Sequence, residues 1–259
     1  HAADMQLLSD PGAFLEALTT VKKTWHDWFN LQVQRRQTWV QEWSDHIAAE
    51  SATDLAEGRK MHPLQLGLDV QAAMNDGDWL IFDGGNTHFW NEIGVNIAAK
   101  RGLKLGGILH PGNYSLLGVG VSFAFAAKHI HPEKNAVLIT GDGAFLSGGL
   151  SIEACFQEKV PIIVIVDNNG GLDCISQQQE RLFENGQHYA TDFRDIPFHG
   201  MFEGMGGHGE LVTRREDFAP AMQRAIASGK TACINVKCRG VISPIVAATS
   251  DKREKASIE

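Results

Sequence analysis

Two apolar segments that each end in polar, turn-forming residues constrain the fold of this chain most strongly. The segment 136–139 runs into a Gly-Asp-Gly sequence at 141–143, and the segment 162–166 runs into an Asn-Asn pair at 168–169. The residues from about 149 to 158 between them have the composition of a helix. This order predicts a strand–helix–strand unit, because neighbouring parallel strands need a crossover connection that is usually a helix. Both strands then end at the sheet edge where ligands bind in open α/β folds.

The side chains at these two strand ends suit a magnesium ion that holds phosphate groups. Asp142 and Asn169 offer hard oxygen ligands, and Mg²⁺ usually completes its coordination with water and substrate phosphates. Gly141 and Gly143 let the backbone approach a phosphate without a clash from a Cβ atom. The start of the following helix can offer N–H groups to an anion. The alternative interpretation is a tight turn and an Asx-rich loop without a ligand.

Composition narrows the class of protein. A chain of 259 residues with 43% hydrophobic content can form one large α/β domain with an appendage. Its net charge of −8 argues against a nucleic-acid surface. No apolar run approaches the ~20 residues that span a bilayer, so we expect a cytoplasmic protein without a membrane segment. The four cysteines have no CxxC spacing, which argues against a zinc or iron–sulfur site. Because the first residue is His rather than Met, we expect a processed, cleaved or engineered start.

Strand and helix patterns alternate along most of the chain. They predict an α/β fold with a mostly parallel sheet and helices on both faces, preceded by an N-terminal helical extension. The predicted parts are a Trp-rich helix over 12–48, a linker over 50–60, a helix over 62–74, a strand over Trp79–Phe82, a Gly- and Pro-rich loop over 106–113, a helix over 116–129 capped by Ser115, and strands over 209–212 and 232–236. We expect a helical extension and linker over 1–60, the main domain over 61–240, and a tail over 241–259.

The segment 141–169 resembles the diphosphate-binding motif of thiamine diphosphate (ThDP) enzymes. Met61-His62-Pro63, the DGGNT sequence at 83–87, the stretch 110–128 and the stretch 229–236 extend this resemblance. Together they resemble the C-terminal half of the group that contains acetolactate synthase, oxalyl-CoA decarboxylase and 2-hydroxyacyl-CoA lyase. The resemblance implies the ThDP-binding fold, with ThDP and Mg²⁺ as cofactors. It also implies a lyase, decarboxylase or carboligase that makes or breaks a C–C bond next to a carbonyl.

Site residues follow from the resemblance, position by position. Mg²⁺ would be bound by the side chains of Asp142 and Asn169 and by the backbone carbonyl of Gly171. The bulky residue beneath the bent cofactor would be Leu117, and Leu172 and Ile175 would lie near the thiazolium ring and the substrate. The complete predicted cofactor site consists of Gly84, Gly85, Asn86, Thr87, Leu117, Gly141, Asp142, Gly143, Ala144, Asn169, Gly171 and Leu172, with Leu117 and Leu172 assigned to catalysis.

The segments that match the family do not include its activating glutamate. The glutamate that activates ThDP in the family belongs to a separate pyrimidine-binding domain, and no counterpart fits in these 259 residues. We therefore expect half of a larger enzyme, or one subunit of a split one, that pairs with such a domain in a dimer or tetramer. Glu153, on the helix after the motif, is interpreted as structural.

The resemblance leaves three alternatives for the function. The first is an enzyme that acts on a 2-hydroxyacyl-CoA or oxalyl-CoA-like substrate, and the second is an enzyme that acts on a 2-keto acid, as acetolactate synthase does. The third is a non-catalytic partner subunit. His88 and His110 could polarise a substrate carbonyl, although an ordinary loop histidine is the alternative for each. In the tail, Lys252, Arg253 and Lys255 would suit CoA phosphates, with a solvated tail as the other interpretation.

Overall fold

A six-stranded parallel sheet forms the centre of the molecule. The computed structural model describes residues 12, 13, 16, 26–183 and 185–248. Its strands lie in the order β2-β1-β3-β4-β6-β5, and every neighbouring pair is parallel. They are β1 Trp79–Phe82, β2 Gly107–Leu109, β3 Ala136–Gly141, β4 Ile163–Asn168, β5 His208–Val212 and β6 Ala232–Lys237. The predicted α/β fold class is confirmed.

Helices connect the strands and precede them. They are α1 His26–Glu57, α2 Pro63–Ala73, α3 Asn86–Ala98, α4 Gly120–Ile130, α5 Asp142–Gly148, α6 Glu153–Gln157, α7 Asp173–Leu182, α8 Phe198–Gly204 and α9 Phe218–Ser228. Residues 244–248 form a further helical turn. The chain divides into two compact units, 1–41 and 42–259, and the sheet belongs to the second. Within the described part of the chain, no helix is long and apolar enough to cross a membrane.

The apolar core lies in two layers, one on each face of the sheet. Successive strand residues point to opposite faces, so Leu80 and Phe82 join one core while Ile81 joins the other. Helices α2 and α9 cover the first layer, and α4, α5 and α8 cover the second. Burial of the central strands on both faces explains why β3 and β4 are continuous apolar runs without alternation.

The strand order creates a crevice at one place on the sheet edge. From β1 the chain moves outward to β2, and from β3 it moves in the opposite direction to β4. The loops that follow β1 and β3 therefore diverge, and ligands bind at such a switch point in open α/β sheets. Register pairs Phe82 with Ile139 and Gly141 with Asp167, so β3 extends two residues beyond the end of β1, and β3 and β4 end within one residue of each other.

Several local predictions were wrong. Helix α1 continues through 50–57, where a linker was expected, because the segment contains no Pro or Gly before Gly58. The loop 106–113 contains the short strand β2. The helix after the motif begins at Asp142, passes through a 3₁₀ turn at Gly149–Ile152 and continues as α6. Ser115 does not cap a helix: it has a φ of 46°, and α4 starts only at Gly120. The part of the Trp-rich helix that contains Trp25 lies outside the described residues.

Candidate cofactor site at the carboxyl edge of the sheet

The loops after β1, β3 and β4 enclose a cavity of about 210 Å³. All twelve residues predicted to bind the cofactor line it, although they come from sequence positions between 84 and 172. Four further residues complete the lining: Ser115, Asp173, Cys174 and Ile175. The structure thus brings every predicted site residue together, and it adds Ser115 and Asp173, which the sequence motif alone did not indicate.

Asp142 is held in place by backbone N–H groups of both motif loops. Its Oδ1 accepts a hydrogen bond from the N–H of Gly143 at 2.7 Å. Its Oδ2 accepts from Gly170 at 2.8 Å and from Gly171 at 3.1 Å. These contacts orient the carboxylate before any ligand binds, and they tie the loop after β3 to the loop after β4.

The two asparagines of the motif have different roles in the structure. Asn168 is buried, and its Nδ2 donates to Oδ1 of Asn235 on β6 at 2.9 Å. Asn169 is half-buried at the cavity, where its Oδ1 accepts from the N–H of Gly171 at 3.2 Å. Asn168 therefore anchors the strand end to the sheet, while Asn169 presents a carboxamide next to Asp142.

Acidic groups without a basic partner surround the cavity. Burial raises the pKa of Asp142 to about 6, against the lowering effect of its N–H donors. Burial also raises the pKa of Asp167, directly below it, to about 7, and the Asp142 carboxylate adds to that rise. Burial likewise raises the pKa of Asp173. No Lys or Arg is among the described residues that line the cavity. A diphosphate can bind there only together with a cation, so the donor set fits a divalent ion coordinated by oxygen atoms.

Asp83 connects the loops on the other side of the crevice. Its Oδ1 accepts from the backbone N–H groups of Gly84 at 2.9 Å, Gly118 at 2.8 Å and Val119 at 3.3 Å. Its Oδ2 accepts from the Thr140 hydroxyl at 3.1 Å. The residue is almost fully buried and does not line the cavity. Sequence reasoning missed this role, and its only local signal was an acidic residue directly after a strand.

Two glycines allow the loops to come this close. A Cβ atom on Gly84 would overlap the carbonyl oxygens of Ser115 and Leu116. Gly85 has a φ of 91°, a conformation that side chains rarely adopt, and its N–H donates to Oγ of Ser115 at 3.0 Å. The DGGNT sequence is therefore needed for the packing of one loop against the next as well as for the shape of the cavity.

The polar side chains that follow these glycines are already engaged within the protein. The Thr87 hydroxyl donates to Oδ2 of Asp167 at 2.9 Å. The Asn86 Nδ2 donates to the carbonyl of Val241 at 2.5 Å, and its Oδ1 accepts from the N–H of Ser243 at 2.8 Å. Both residues line the cavity, as predicted, but these bonds make them supports of its wall. Trp90 Nε1 also donates to Val241, at 2.7 Å, and so fixes the start of the C-terminal segment.

The two residues assigned to catalysis come from different loops that line the cavity, Leu117 from the loop before α4 and Leu172 from the loop after β4. Leu117 is 39% exposed, directly before Gly118 with its φ of 85°. Leu172 is half-buried beside Gly143, where an added Cβ would overlap its Cδ2 atom. Ile175 is also exposed at the cavity. The cavity therefore combines the polar side chains of Asp142 and Asn169 with the apolar side chains of Leu117, Leu172 and Ile175.

Other candidate residues lie away from the cavity or beyond the described chain. His88 and His110 are not part of its lining, although His88 directly follows the lining residue Thr87 and His110 precedes the lining residues Ser115 and Leu117. The four cysteines are free thiols, and burial raises the pKa of the Cys155 thiol to about 12. Glu153 is exposed on α6. Lys252, Arg253 and Lys255 lie outside the described residues.

Two relatives match most of this chain in sequence. Acetolactate synthase large subunit IlvG of Mycobacterium tuberculosis is 28% identical over 207 residues, which are 77% of this chain and 36% of that protein. Human 2-hydroxyacyl-CoA lyase 2 is 26% identical over 191 residues, which are 70% of this chain and 29% of that protein. The chain thus spans about a third of the length of these relatives.

A solved structure and a family profile agree with this. The thiamine diphosphate-dependent 4-hydroxybenzoylformate decarboxylase of Rhodococcus jostii RHA1 superposes with a TM-score of 0.60 at 24% identity, covering 71% of this chain and 34% of that one. Residues 83–236 match the model of the thiamine pyrophosphate enzyme, C-terminal TPP-binding domain (thiamine pyrophosphate and ThDP are the same compound). This chain belongs to the family of C-terminal, ThDP-binding domains of ThDP-dependent enzymes.

Proposed function

We propose that this chain is the diphosphate-binding half of a ThDP- and Mg²⁺-dependent enzyme that makes or breaks a C–C bond next to a carbonyl. The observation that carries the proposal is the acidic cavity, in which the Gly171 N–H donates to the side-chain oxygens of both Asp142 and Asn169 and no basic side chain is among the described lining residues. Such a site repels a free diphosphate. It binds a Mg²⁺–diphosphate pair because the ion satisfies the buried carboxylate and the phosphates complete its coordination.

Each of the twelve predicted cofactor-site residues has a role in this proposal. Asp142 and Asn169 bind Mg²⁺ through their side-chain oxygens, and Gly171 binds it through its backbone carbonyl. Gly84, Gly85, Gly141, Gly143 and Ala144 give the diphosphate access to the backbone, while Asn86 and Thr87 hold the wall. Leu117 supports the bend of the cofactor, and Leu172 with Ile175 excludes water on the substrate side.

The bound cofactor supplies the reactive carbon and the electron sink for the C–C bond, and the protein supplies binding and orientation. In the family that this chain resembles, activation of the cofactor relies on the glutamate of a separate pyrimidine-binding domain. We therefore propose that the cavity becomes a complete active site only when such a domain, from the same or another chain, covers it.

For the substrate we propose a 2-hydroxyacyl-CoA or an oxalyl-CoA-like thioester. The Ser-Gly-Gly sequence at 147–149 after the motif and the similarity to human 2-hydroxyacyl-CoA lyase 2 support this choice. A 2-keto acid carboligase of the acetolactate synthase type is the second candidate, supported by the 28% identity to the M. tuberculosis protein.

A binding experiment tests the metal and the diphosphate together. We expect calorimetry to detect ThDP binding in the presence of Mg²⁺ and none in EDTA. Asp142→Ala should abolish the Mg²⁺-dependent binding, whereas Asp195→Asn, at a side chain that is 80% exposed, should leave it unchanged. Equal ThDP affinity in the Asp142→Ala variant would remove the central claim.

An assembly experiment tests whether activity requires a pyrimidine-binding domain. We expect no turnover by the purified chain alone, and turnover when it is combined with a pyrimidine-binding domain that carries the glutamate. Activity of the isolated chain at the level of the assembled enzyme would contradict the proposal. In the assembly, cleavage of a 2-hydroxyacyl-CoA supports the first substrate class, and condensation of 2-keto acids without acyl-CoA cleavage supports the second.

A further inference from the structure

Three side chains of types that can ligate a metal meet at the start of α3. His88 and Glu92 are one turn apart on this helix, and His110 comes from the loop that follows β2. One potential ligand atom from each residue lies within 4.8 Å of the other two. The rings of His88 and His110 are 5.0 Å apart between centroids, at an angle of 48°. None of the three residues belongs to the lining of the cofactor cavity.

His88 is the unusual member of this group. Its side chain is only 2% exposed, yet neither ring nitrogen has a hydrogen-bond partner of acceptable geometry. Glu92 Oε1 lies 3.0 Å from Nε2, so the carboxylate is close without satisfying the ring. Buried polar atoms are nearly always satisfied in folded proteins, and an exception calls for a missing partner such as an ion.

We propose that His88, Glu92 and His110 form a binding site for a divalent transition-metal ion, with Zn²⁺ as the best match. Two imidazoles and one carboxylate are a ligand set that binds Zn²⁺ with one open position. Imidazole nitrogens distinguish this site from the cofactor cavity, because Mg²⁺ prefers an all-oxygen environment.

The geometry allows the three ligands to close around an ion. Metal–ligand bonds of about 2.1 Å place tetrahedral ligands roughly 3.4 Å apart. His88 Nε2 and Glu92 Oε1 are already 3.0 Å apart, and the widest of the three separations, at most 4.8 Å, must shorten by up to about 1.4 Å. His110 is exposed and the Glu92 side chain is 42% exposed, so both can rotate, and the ion enters from their side. A hydrogen bond within the protein competes with metal binding by His110, because Nδ1 of His110 accepts from the N–H of Gly112 at 3.2 Å. Metal coordination by the neutral ring breaks that contact.

An ion at this site would join two parts of the chain that shape the cofactor cavity. His88 directly follows Thr87, and His110 precedes the turn that contains Ser115 and Leu117. The ion therefore ties the first turn of α3 to the loop before Leu117. This site goes beyond the proposed ThDP chemistry and shares no ligand with its Mg²⁺ position.

Cobalt provides a test that does not depend on activity. Co²⁺ replaces Zn²⁺ in nitrogen- and oxygen-ligated sites and absorbs visible light strongly when its coordination is tetrahedral. We expect the 259-residue chain, titrated with Co²⁺ in excess Mg²⁺, to bind one equivalent with such a spectrum, and Zn²⁺ to displace it. His110→Ala removes an exposed ligand without disturbing the core, and we expect it to weaken Co²⁺ binding by more than about 100-fold. The matched control His129→Ala, at another exposed histidine, should leave the titration unchanged.

Two more variants make the assignment specific. Glu92→Gln keeps the shape of the side chain and should lose the spectrum, with circular dichroism confirming an unchanged fold. His188, which contacts Glu180 and Asp192, is the rival site among the described residues, and His188→Ala should have no effect. The proposal is overturned if Co²⁺ gives no tetrahedral spectrum, if both His110→Ala and Glu92→Gln retain it, or if His188→Ala abolishes it.

Discussion

Asp83 offers the sharpest test of how the cofactor loops are held. Its carboxylate accepts hydrogen bonds from three backbone N–H groups and one hydroxyl, which come from the loop after β1, the loop before α4 and the end of β3. Asp83→Ala removes the acceptor and leaves these donors in a space that is closed to water. The loops that contain Gly84 and Gly118 then lose their common anchor.

The magnitude follows from the contacts. A hydrogen bond to a charged group contributes about 1.5–3 kcal/mol, and an orphaned buried donor costs about 1–3 kcal/mol. These terms are not additive, and removal of a buried carboxylate relieves its own desolvation. We therefore expect Asp83→Ala to lower the free energy of unfolding by about 3–5 kcal/mol, similar to the loss of one partner of a buried ion pair. For a domain of this size the unfolding temperature should fall by about 6–20 °C.

Asp83→Asn is the matched control. Its remaining carbonyl oxygen can accept from the three N–H groups, and the Thr140 hydroxyl can donate instead to the carbonyl of Gly141, 3.2 Å away. Neutral acceptors form weaker bonds than charged ones, so we expect a loss of about 1–2 kcal/mol.

Urea unfolding followed by circular dichroism, together with calorimetry of ThDP binding, measures both consequences. We expect Asp83→Ala to lose most ThDP affinity although Asp83 does not line the cavity, and Asp83→Asn to retain most of it. If Asp83→Ala changed stability by less than about 1 kcal/mol, the carboxylate would not be the anchor of these loops.

Three further predictions concern the loops and the acid range. Leu117→Ala should lower kcat of the assembled enzyme by about 100-fold through misplacement of the cofactor, while Leu117→Met should be nearly silent; unchanged kcat in the Ala variant would contradict the bent-cofactor role. Gly84→Ala should destabilise by about 1–3 kcal/mol or more because its Cβ overlaps backbone carbonyls, whereas Gly204→Ala, with nothing within 4 Å, should be neutral or slightly stabilising in thermal unfolding. Burial lowers the pKa of His62 from 6.5 to about 3, so the contribution of the neutral ring to stability is present above pH 6.5 and is lost as the pH falls toward 3. The variant His62→Asn keeps the cap acceptor and has no ring to protonate. When the pH is lowered from 7 to 5, urea titrations should show that this variant loses up to about 2 kcal/mol less of its free energy of unfolding than the parent chain.

The sequence predicted the parts of the fold whose signal is local. Strand β1 matches its prediction residue for residue, because its four apolar residues are bounded by Asp78 and Asp83. Strand β2 was missed because three residues within a Gly- and Pro-rich stretch show no periodicity, and it forms only beside β1. Helix α1 passed its predicted end because the polar residues at 50–57 are compatible with an exposed helix.

The features of the cofactor site also divide into those with a local sequence signal and those that depend on distant contacts. Asp142 and Asn169 could be predicted because each directly follows a recognisable strand. The contact of Gly85 with Ser115 spans 30 positions, and that of Asn86 with Val241 spans 155. Such partners become visible only when the loops are placed in space. Ser115 was expected to cap a helix because its residue type favours caps, but it lies in the left-handed region, where its hydroxyl accepts from Gly85.

The contacts of Asn86 and Trp90 with Val241 have a consequence for the evolution of this family branch. The amide of Asn86 and the indole of Trp90 converge on one carbonyl group, and Asn86 also accepts from Ser243. A mutation that changes the conformation of the segment 241–243 would therefore also shift the wall of the cofactor cavity. Whether the protein tolerates it would depend on the residues at positions 86 and 90. We expect substitutions in the segment 241–243 to be accompanied by substitutions at positions 86 and 90 among homologues. A chimera that takes this C-terminal segment from a homologue should therefore fold well only if it also takes residues 86–90 from the same homologue.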